Sequence, residues 1–210
     1  RDKRVFRQPA REKVEHHLPF PNPCGAIKCH GKALTGENRM LRGLILALTL
    51  ALPLRAEPAP PVADPLVASL KVGVFCALQA MDQRPSPGTI SGWIHVPDGV
   101  IDFHWPDRQV VPAVIGLAFG VKSQMVPGVF ASGEMRVYRP GSSTPETWDS
   151  TFSDTGEQFG FFRFDREDEL IPGLWRFEAW EGGTQLYSAE FEVVPAAALP
   201  KIAQACGAIS

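Results

Sequence analysis

From Leu66 onward, short apolar runs alternate with Gly, Pro and Asp breaks at regular spacing, and this pattern constrains the fold more than any other feature. Short strands separated by turn residues about every 8–12 positions are typical of all-β sandwiches and barrels. No internal repeat and no long helical period accompanies them. The sequence therefore predicts an all-β domain with strands at Val67–Ala77, Thr89–Val96, Val100–Trp105, Val114–Val121, Gly133–Arg139, Thr147–Phe152, Gln158–Phe164, Leu174–Glu181 and Gln185–Val194.

The last two predicted strands form a closing hairpin whose register follows from its apolar pattern. Alternate apolar residues share a face in each strand: Trp175, Phe177 and Ala179 in the first, and Tyr187, Ala189, Phe191 and Val193 in the second. Both sets face the core when the loop has three residues, Gly182–Thr184, with a glycine in the left-handed conformation. The outer face then pairs Trp180 with Leu186, which is either covered by a neighbouring loop or part of a binding patch.

Residues 40–56, MLRGLILALTLALPLRA, have the layout of a secretory signal peptide. Arg42 precedes an apolar run at Leu44–Leu52, and Ala56 is a small residue at the expected cleavage point. We therefore expect residues 1–39 to be upstream translation, residues 57–66 to be a Pro/Ala linker, and residues 67–210 to be a β-sandwich domain with a C-terminal tail. The expected location is periplasmic or secreted, without stable membrane insertion after cleavage.

The closing run PGLWRFEAWEGGTQLYSAEFEVV, at Pro172–Val194, resembles the last hairpin of immunoglobulin-like sandwich domains. With the signal peptide, GVFC at Gly73–Cys76 and IGLAFG at Ile115–Gly120, the chain is similar to small exported bacterial proteins catalogued as a domain of unknown function. The resemblance implies an immunoglobulin-like antiparallel β-sandwich and export from the cytoplasm. It implies no activity and offers no catalytic residues to carry over.

The charge of the predicted mature part excludes one class of partner. Residues 57–210 hold 10 Lys+Arg against 19 Asp+Glu, a net charge of −9. Nucleic-acid binding depends on clustered Lys and Arg that neutralise phosphates, so we expect no nucleic-acid partner. The partner class that remains is an unidentified protein or small ligand of the cell envelope.

The cysteines fall into two groups. Cys76 and Cys206 lie near opposite ends of the predicted domain, and in an oxidising compartment such a pair is expected to form a disulfide; the alternative is two buried free thiols. Cys24, Cys29 and His30 lie upstream, and their spacing lacks the paired layout of a zinc finger. We therefore expect no metal site in the upstream segment.

No nucleophile elbow, phosphate loop, dinucleotide fingerprint or zinc-protease motif occurs in the sequence. His95, Asp102 and His104 flank a predicted hairpin turn at Val96–Val100, and they are the candidate ligands of a metal site. Regular pairing across that turn puts His95 on one face and Asp102 and His104 on the other, whereas a bulge would reunite them. The leading hypothesis is a non-catalytic binding or interaction module without a cofactor. The alternative is a periplasmic metal-binding protein or enzyme that uses these three residues.

Overall fold

The computed structural model describes residues 57–77 and 81–206 of the 210-residue chain. The predicted upstream segment, the signal peptide and the Cys24, Cys29 and His30 cluster lie outside the described residues. The described strands are β1 (Val62–Ala63), β2 (Val67–Cys76), β3 (Met81–Pro85), β4 (Trp93–Pro97), β5 (Trp105–Pro106), β6 (Val110–Ala113), β7 (Leu117–Met125), β8 (Phe130–Tyr138), β9 (Glu146–Ser153), β10 (Gln158–Arg163), β11 (Gly173–Glu181) and β12 (Thr184–Pro195). They are followed by one short helix, α1 (Pro200–Ala205).

Two sheets form the sandwich. One has the strand order β1-β12-β11-β8-β9, with β6 parallel to the last part of β12, and the other has the order β10-β7-β2-β5. In immunoglobulin terms, β2, β7 and β10 occupy the places of strands A, B and E, whereas β8, β9, β11 and β12 occupy those of C, C′, F and G. The predicted all-β, immunoglobulin-like antiparallel sandwich is therefore confirmed. Within the described ranges, no helix has the length and apolarity needed to cross a membrane.

The main core lies between the inner faces of the two sheets. Alternation along β7 and β11 turns Phe119, Val121, Trp175 and Phe177 into it, and all four are fully buried. The ring of Phe119 lies within 6.1 Å of five other aromatic rings, measured between centroids. Trp175 satisfies its indole N–H by donating to the carbonyl of Ile171 at 2.9 Å. These contacts between aromatic rings of the two sheets hold the sandwich together.

An insertion between β2 and β6 covers the outer face of the four-stranded sheet. Phe75 is fully buried there in a second cluster with Ile101 and Phe103, to which β10 contributes Phe159 and Phe161. The opposite face of β10 packs Phe162 against the main core. Both faces of β10 are therefore covered by apolar side chains.

The predicted hairpin across Val96–Val100 is wrong. β4 pairs with β3 instead, with Val96 opposite Asp82, and residues 100–104 form no strand. The physical reason is the apolar side chain of Phe75, which Ile101 and Phe103 cover. Burying that surface stabilises the fold more than a second ladder on β4, because a two-stranded hairpin alone is marginal in water.

The closing hairpin has the predicted core pairs and a different loop. Trp175 lies opposite Phe191 and Ala179 opposite Tyr187, as predicted, but a bulge follows Ala179, so that Trp180 pairs with Gln185. The connection is therefore the two-residue Gly182-Gly183, and Gly182 has φ 57°. The bulge leaves Leu186 fully buried, with its carbonyl accepting from the Asp64 N–H at 2.8 Å. The predicted Trp180–Leu186 surface patch is wrong, because only Trp180 reaches the surface.

Both ends of the described domain are fastened. Cys76 and Cys206 form the predicted disulfide, which joins the end of β2 to the residue after α1. Part of the Pro/Ala segment forms β1, which pairs with β12 at Ser188 and Tyr187. Gln109 donates to the carbonyl of Ala59 at 2.8 Å, which ties the same segment to the insertion.

Candidate binding cleft at the edge of β9

Most outer edges of the two sheets are closed by other parts of the chain. The edge of β12 is covered by β1 and β6, and the edge of β2 is covered by β5. The edges of β9 and β10 end their respective sheets on the other side. Exposed sheet edges are pairing sites that proteins usually block, so the side of the domain with β9 and β10 is where a functional opening is expected.

Residues of the insertion occupy the first half of the β9 edge. The Thr147 N–H donates to the Gly88 carbonyl at 3.0 Å, and the Ser86 hydroxyl donates to the Thr147 carbonyl at 3.3 Å. The Arg84 guanidinium donates to the Asp149 carbonyl at 3.1 Å. As β9 advances, its partners in the insertion go backward along the chain, so this segment covers the edge in the antiparallel sense.

The second half of the β9 edge is open. Because backbone groups of an antiparallel strand point alternately to either side, Thr151 is directed outward as Thr147 and Asp149 are. Thr151 is exposed, and no described residue hydrogen-bonds its backbone N–H or C=O on this side. This strand edge can therefore accept hydrogen bonds from, and donate them to, an added strand.

A cleft of about 860 Å³ lies against this open edge. Its walls include Asp149 and Thr151 of β9, Ile94 and Val96 of the β3–β4 hairpin, and Phe159 and Phe161 of β10, and β8 and β11 also contribute to them. The volume falls within the range of about 300–1,000 Å³ that is typical of ligand pockets. Apolar side chains thus face unpaired backbone groups across a space large enough for a short peptide segment.

The end of the cleft nearest the β11–β12 loop is lined by polar residues whose charges balance. Arg136 is ion-paired with Glu134 at 2.7 Å, and its guanidinium carbon lies 4.7 Å from the centroid of the Trp180 ring. The Trp180 indole N–H donates to Glu178 at 2.8 Å. These mutual contacts hold the aromatic ring of Trp180 in place, and tryptophan and arginine are the residue types enriched at binding hot spots.

The β3–β4 hairpin is fastened to the sandwich by His95. Its Nε2 lies 2.6 Å from Oδ2 of Asp165, and Arg163 lies 2.7 Å from the other carboxylate oxygen. Burial alone raises the pKa of Asp165, but the hydrogen bond from His95 and the charges of His95 and Arg163 outweigh it and hold that pKa below its usual range. His95 Nδ1 is buried without a hydrogen-bond partner among the described residues, so no hydroxyl nucleophile is bonded to it.

The proposed metal ligands do not converge. His95 pairs with Asp165, Asp102 accepts from Lys122 at 3.2 Å, and His104 Nδ1 accepts from the Cys76 N–H at 3.2 Å. Within the described residues no group of three or more His, Cys, Asp or Glu side chains could hold a metal ion. The structure therefore does not bring His95, Asp102 and His104 together as one ligand set, because the predicted hairpin does not form and no bulge reunites the three residues.

Comparison with known proteins gives a fold neighbour and no family. No protein-family model matches the sequence, and no curated protein matches it. One solved structure with a similar fold is an immunoglobulin-like protein from Pseudomonas aeruginosa, 16% identical, with a TM-score of 0.40. The match covers 65% of this chain and 98% of the neighbour. The resemblance to exported proteins of unknown function therefore remains a prediction.

Proposed function

We propose that this protein is an exported, non-catalytic binding module that captures an extended polypeptide segment by pairing it with the open edge of β9. The observation that carries the proposal is the unpaired backbone of Thr151 beside an 860 Å³ cleft. Addition of a peptide strand to a sheet edge obtains affinity from main-chain hydrogen bonds and specificity from pockets for alternate side chains. Both components are available at this edge.

The lining of the cleft supports an apolar peptide with little net charge. Alternate side chains of a strand paired with β9 would face the apolar group Ile94, Val96, Phe159 and Phe161. The two arginines in the walls already have partners, Arg136 in Glu134 and Arg84 in the Asp149 carbonyl. An anionic peptide side chain would have to displace one of these partners, whereas an apolar side chain would only remove water.

The insertion supports the same binding mode. Residues 84–88 already contact the edge of β9 in the antiparallel sense, through the hydrogen bonds of Gly88, Ser86 and Arg84. A captured peptide would continue this row along Asp149–Ser153. The chain therefore provides a fixed end against which the register of the added strand can be set.

Thr151→Pro is expected to abolish peptide capture while the domain stays folded. Proline removes the outward N–H of Thr151 but no hydrogen bond to β8, and proline is tolerated at such edge positions. Peptides of 12 residues selected from a random displayed library on the wild-type protein should bind the Thr151→Pro variant at least tenfold more weakly. Thr151→Val keeps the backbone donor and should bind them as the wild type does.

Two results would contradict this binding mode. Selection that enriches no peptide above an empty-surface background would remove peptide capture as the function. Enriched peptides that bind Thr151→Pro and wild type equally would place the binding surface elsewhere. Melting curves of both variants establish that each is folded before binding is compared.

We also propose that the module works in the periplasm or outside the cell. The disulfide and the signal-like sequence at Met40–Ala56 both support this location. The intact mass of protein recovered from an exporting bacterial host should correspond to a chain that begins at Glu57. Thiols should become alkylatable only after reduction, and a mass that retains residues 1–39 with free thiols would refute the export proposal.

A further inference from the structure

A buried lysine lies on the outer face of the four-stranded sheet, away from the β9 edge. The side chain of Lys122, on β7, is only 7% exposed. Its ammonium lies 5.6 Å from the ring centroids of both Phe103 and Phe159. Burying a lysine charge is costly unless it is compensated, so the groups that neutralise it are informative.

The two carboxylates near Lys122 are unequally available to it. Glu157 lies 3.7 Å from the Lys122 ammonium, but it lies 2.5 Å from Lys71, which is opposite Lys122 in the register of β2 and β7. The hydrogen bond from Lys71 is the main reason that the pKa of Glu157 is lowered. One glutamate thus serves two lysines, and the closest anion to Lys122 is Asp102 at 3.2 Å.

Asp102 lies between Ile101 and Phe103, which both pack against Phe75, but its own side chain is not packed. Its side chain is 92% exposed, and it belongs to residues 100–104, which form no strand. Because packing does not hold the Asp102 side chain, its carboxylate can turn away from Lys122 into water. A carboxylate from outside the protein could therefore take its place at Lys122 without breaking the fold.

A second cavity, of about 530 Å³, opens above Lys122. Its apolar wall consists of Pro97, Val100, Ile101 and Phe159, and Val100 is 90% exposed. Asp98 and Glu157 also line the cavity; Asp98 is exposed, so that solvent and salt screen its repulsion of an anion. A cation beside an apolar wall matches a molecule with a negative head and an apolar chain.

We propose that this cavity binds an aliphatic monocarboxylate, whose head group pairs with Lys122 and displaces Asp102, and whose chain packs on Val100, Ile101 and Phe159. Asp102 is the closest anion to Lys122 in the free protein, and the ligand head group would replace it in that role. The site is separate from the edge of β9 and does not depend on peptide capture. The two cavities share only Pro97 and Phe159 in their walls.

The test uses octanoate as the probe and NMR shifts of the Phe103 and Phe159 rings as the readout. Octanoate should shift these signals saturably, with a Kd at least tenfold lower than that of 1-octanol, which lacks the charge, or of acetate, which lacks the chain. Absence of a saturable shift would overturn the proposal. Equal affinity for octanol would also overturn it, because the cavity would then select only for apolar chains.

Variants at Lys122 and Asp102 assign the head group to Lys122. Lys122→Met should weaken octanoate binding at least tenfold, whereas Lys201→Met, at an exposed lysine of α1, should change it less than threefold. Asp102→Asn removes the internal competitor and should bind octanoate several-fold more tightly than wild type. If Lys122→Met does not fold, octanoate binding by Asp102→Asn tests the proposal instead. Binding by Asp102→Asn that is unchanged or weaker than that of the wild type contradicts the proposal. Thr151→Pro should bind octanoate normally, so failure of peptide capture and failure of this site are distinguishable.

Discussion

Replacing both Cys76 and Cys206 by alanine is expected to lower the free energy of unfolding by about 4–5 kcal/mol. The disulfide joins residues separated by 130 positions, and in the chain-entropy treatment a loop of that length restricts the unfolded chain by about this amount. Domains of this kind are typically stable by only about 5–15 kcal/mol, so the bond accounts for a large share of the total. Cys206 is also buried, so its replacement loses packing in the main core.

Urea unfolding measures the effect on three samples. Oxidised wild-type protein should be the most stable, reduced wild type should unfold at a lower urea concentration, and the double alanine variant should unfold at the lowest. Reduced protein keeps both sulfur atoms and loses only the bond, so it separates the loss of the cross-link from the loss of packing. If the unfolding free energy of the double variant lies within 1 kcal/mol of that of the oxidised protein, the cross-link does not stabilise the fold by restricting the conformations of the unfolded chain.

The strands of the sandwich could be predicted from sequence because burial on one face leaves a visible alternation. For β11 and β12 even the register of the core pairs could be predicted, because Trp175 and Phe191 both face the core when they lie opposite each other. The bulge after Ala179 left no such signal. It adds one residue, changes the loop and moves Leu186 from the expected surface into the core. A local pattern cannot distinguish a three-residue loop from a two-residue loop with a bulge.

The insertion could not be predicted in the same way, because its strands lack an alternating pattern. β3 has no buried residue, and β4 packs against other elements with only part of its surface. The turn sequence at Val96–Val100 is typical of a hairpin, yet the apolar surface of Phe75 determines where Ile101 and Phe103 lie. Competition between a local turn and a distant apolar surface is not visible in the local sequence.

The candidate site residues were even harder to predict from the local sequence. His95, Asp102 and His104 were selected by residue type and proximity in sequence, but their partners are Asp165, Lys122 and the backbone of Cys76. His95 and Asp165 are 70 residues apart. In the sequence, Asp165 belongs to the charged run Asp165–Glu169, and Lys122 directly follows the predicted strand Val114–Val121. Only the strand order brings these groups together.

Phe119→Ala is expected to cost about 3–5 kcal/mol of unfolding free energy, the range for removing a fully buried aromatic side chain. Phe119 is completely buried, and its ring contacts those of Phe162, Phe164, Trp175, Phe177 and Phe191. The rings belong to both sheets, so a cavity at this point lies where the sheets are joined. The surrounding rings are held by one another, which limits collapse into the space.

Phe130→Ala is the matched control, because Phe130 begins β8 and is 70% exposed. The same chemical change at that position should alter the free energy of unfolding by less than about 0.5 kcal/mol. Urea unfolding of both variants, with the disulfide intact, gives the comparison. A Phe119→Ala cost below 1 kcal/mol would mean that the sheets repack without the ring, and that the aromatic cluster does not hold the sandwich together. A large cost at Phe119 alone would show that the sandwich depends on contacts between its sheets, because both variants remove the same side-chain atoms from the same kind of strand.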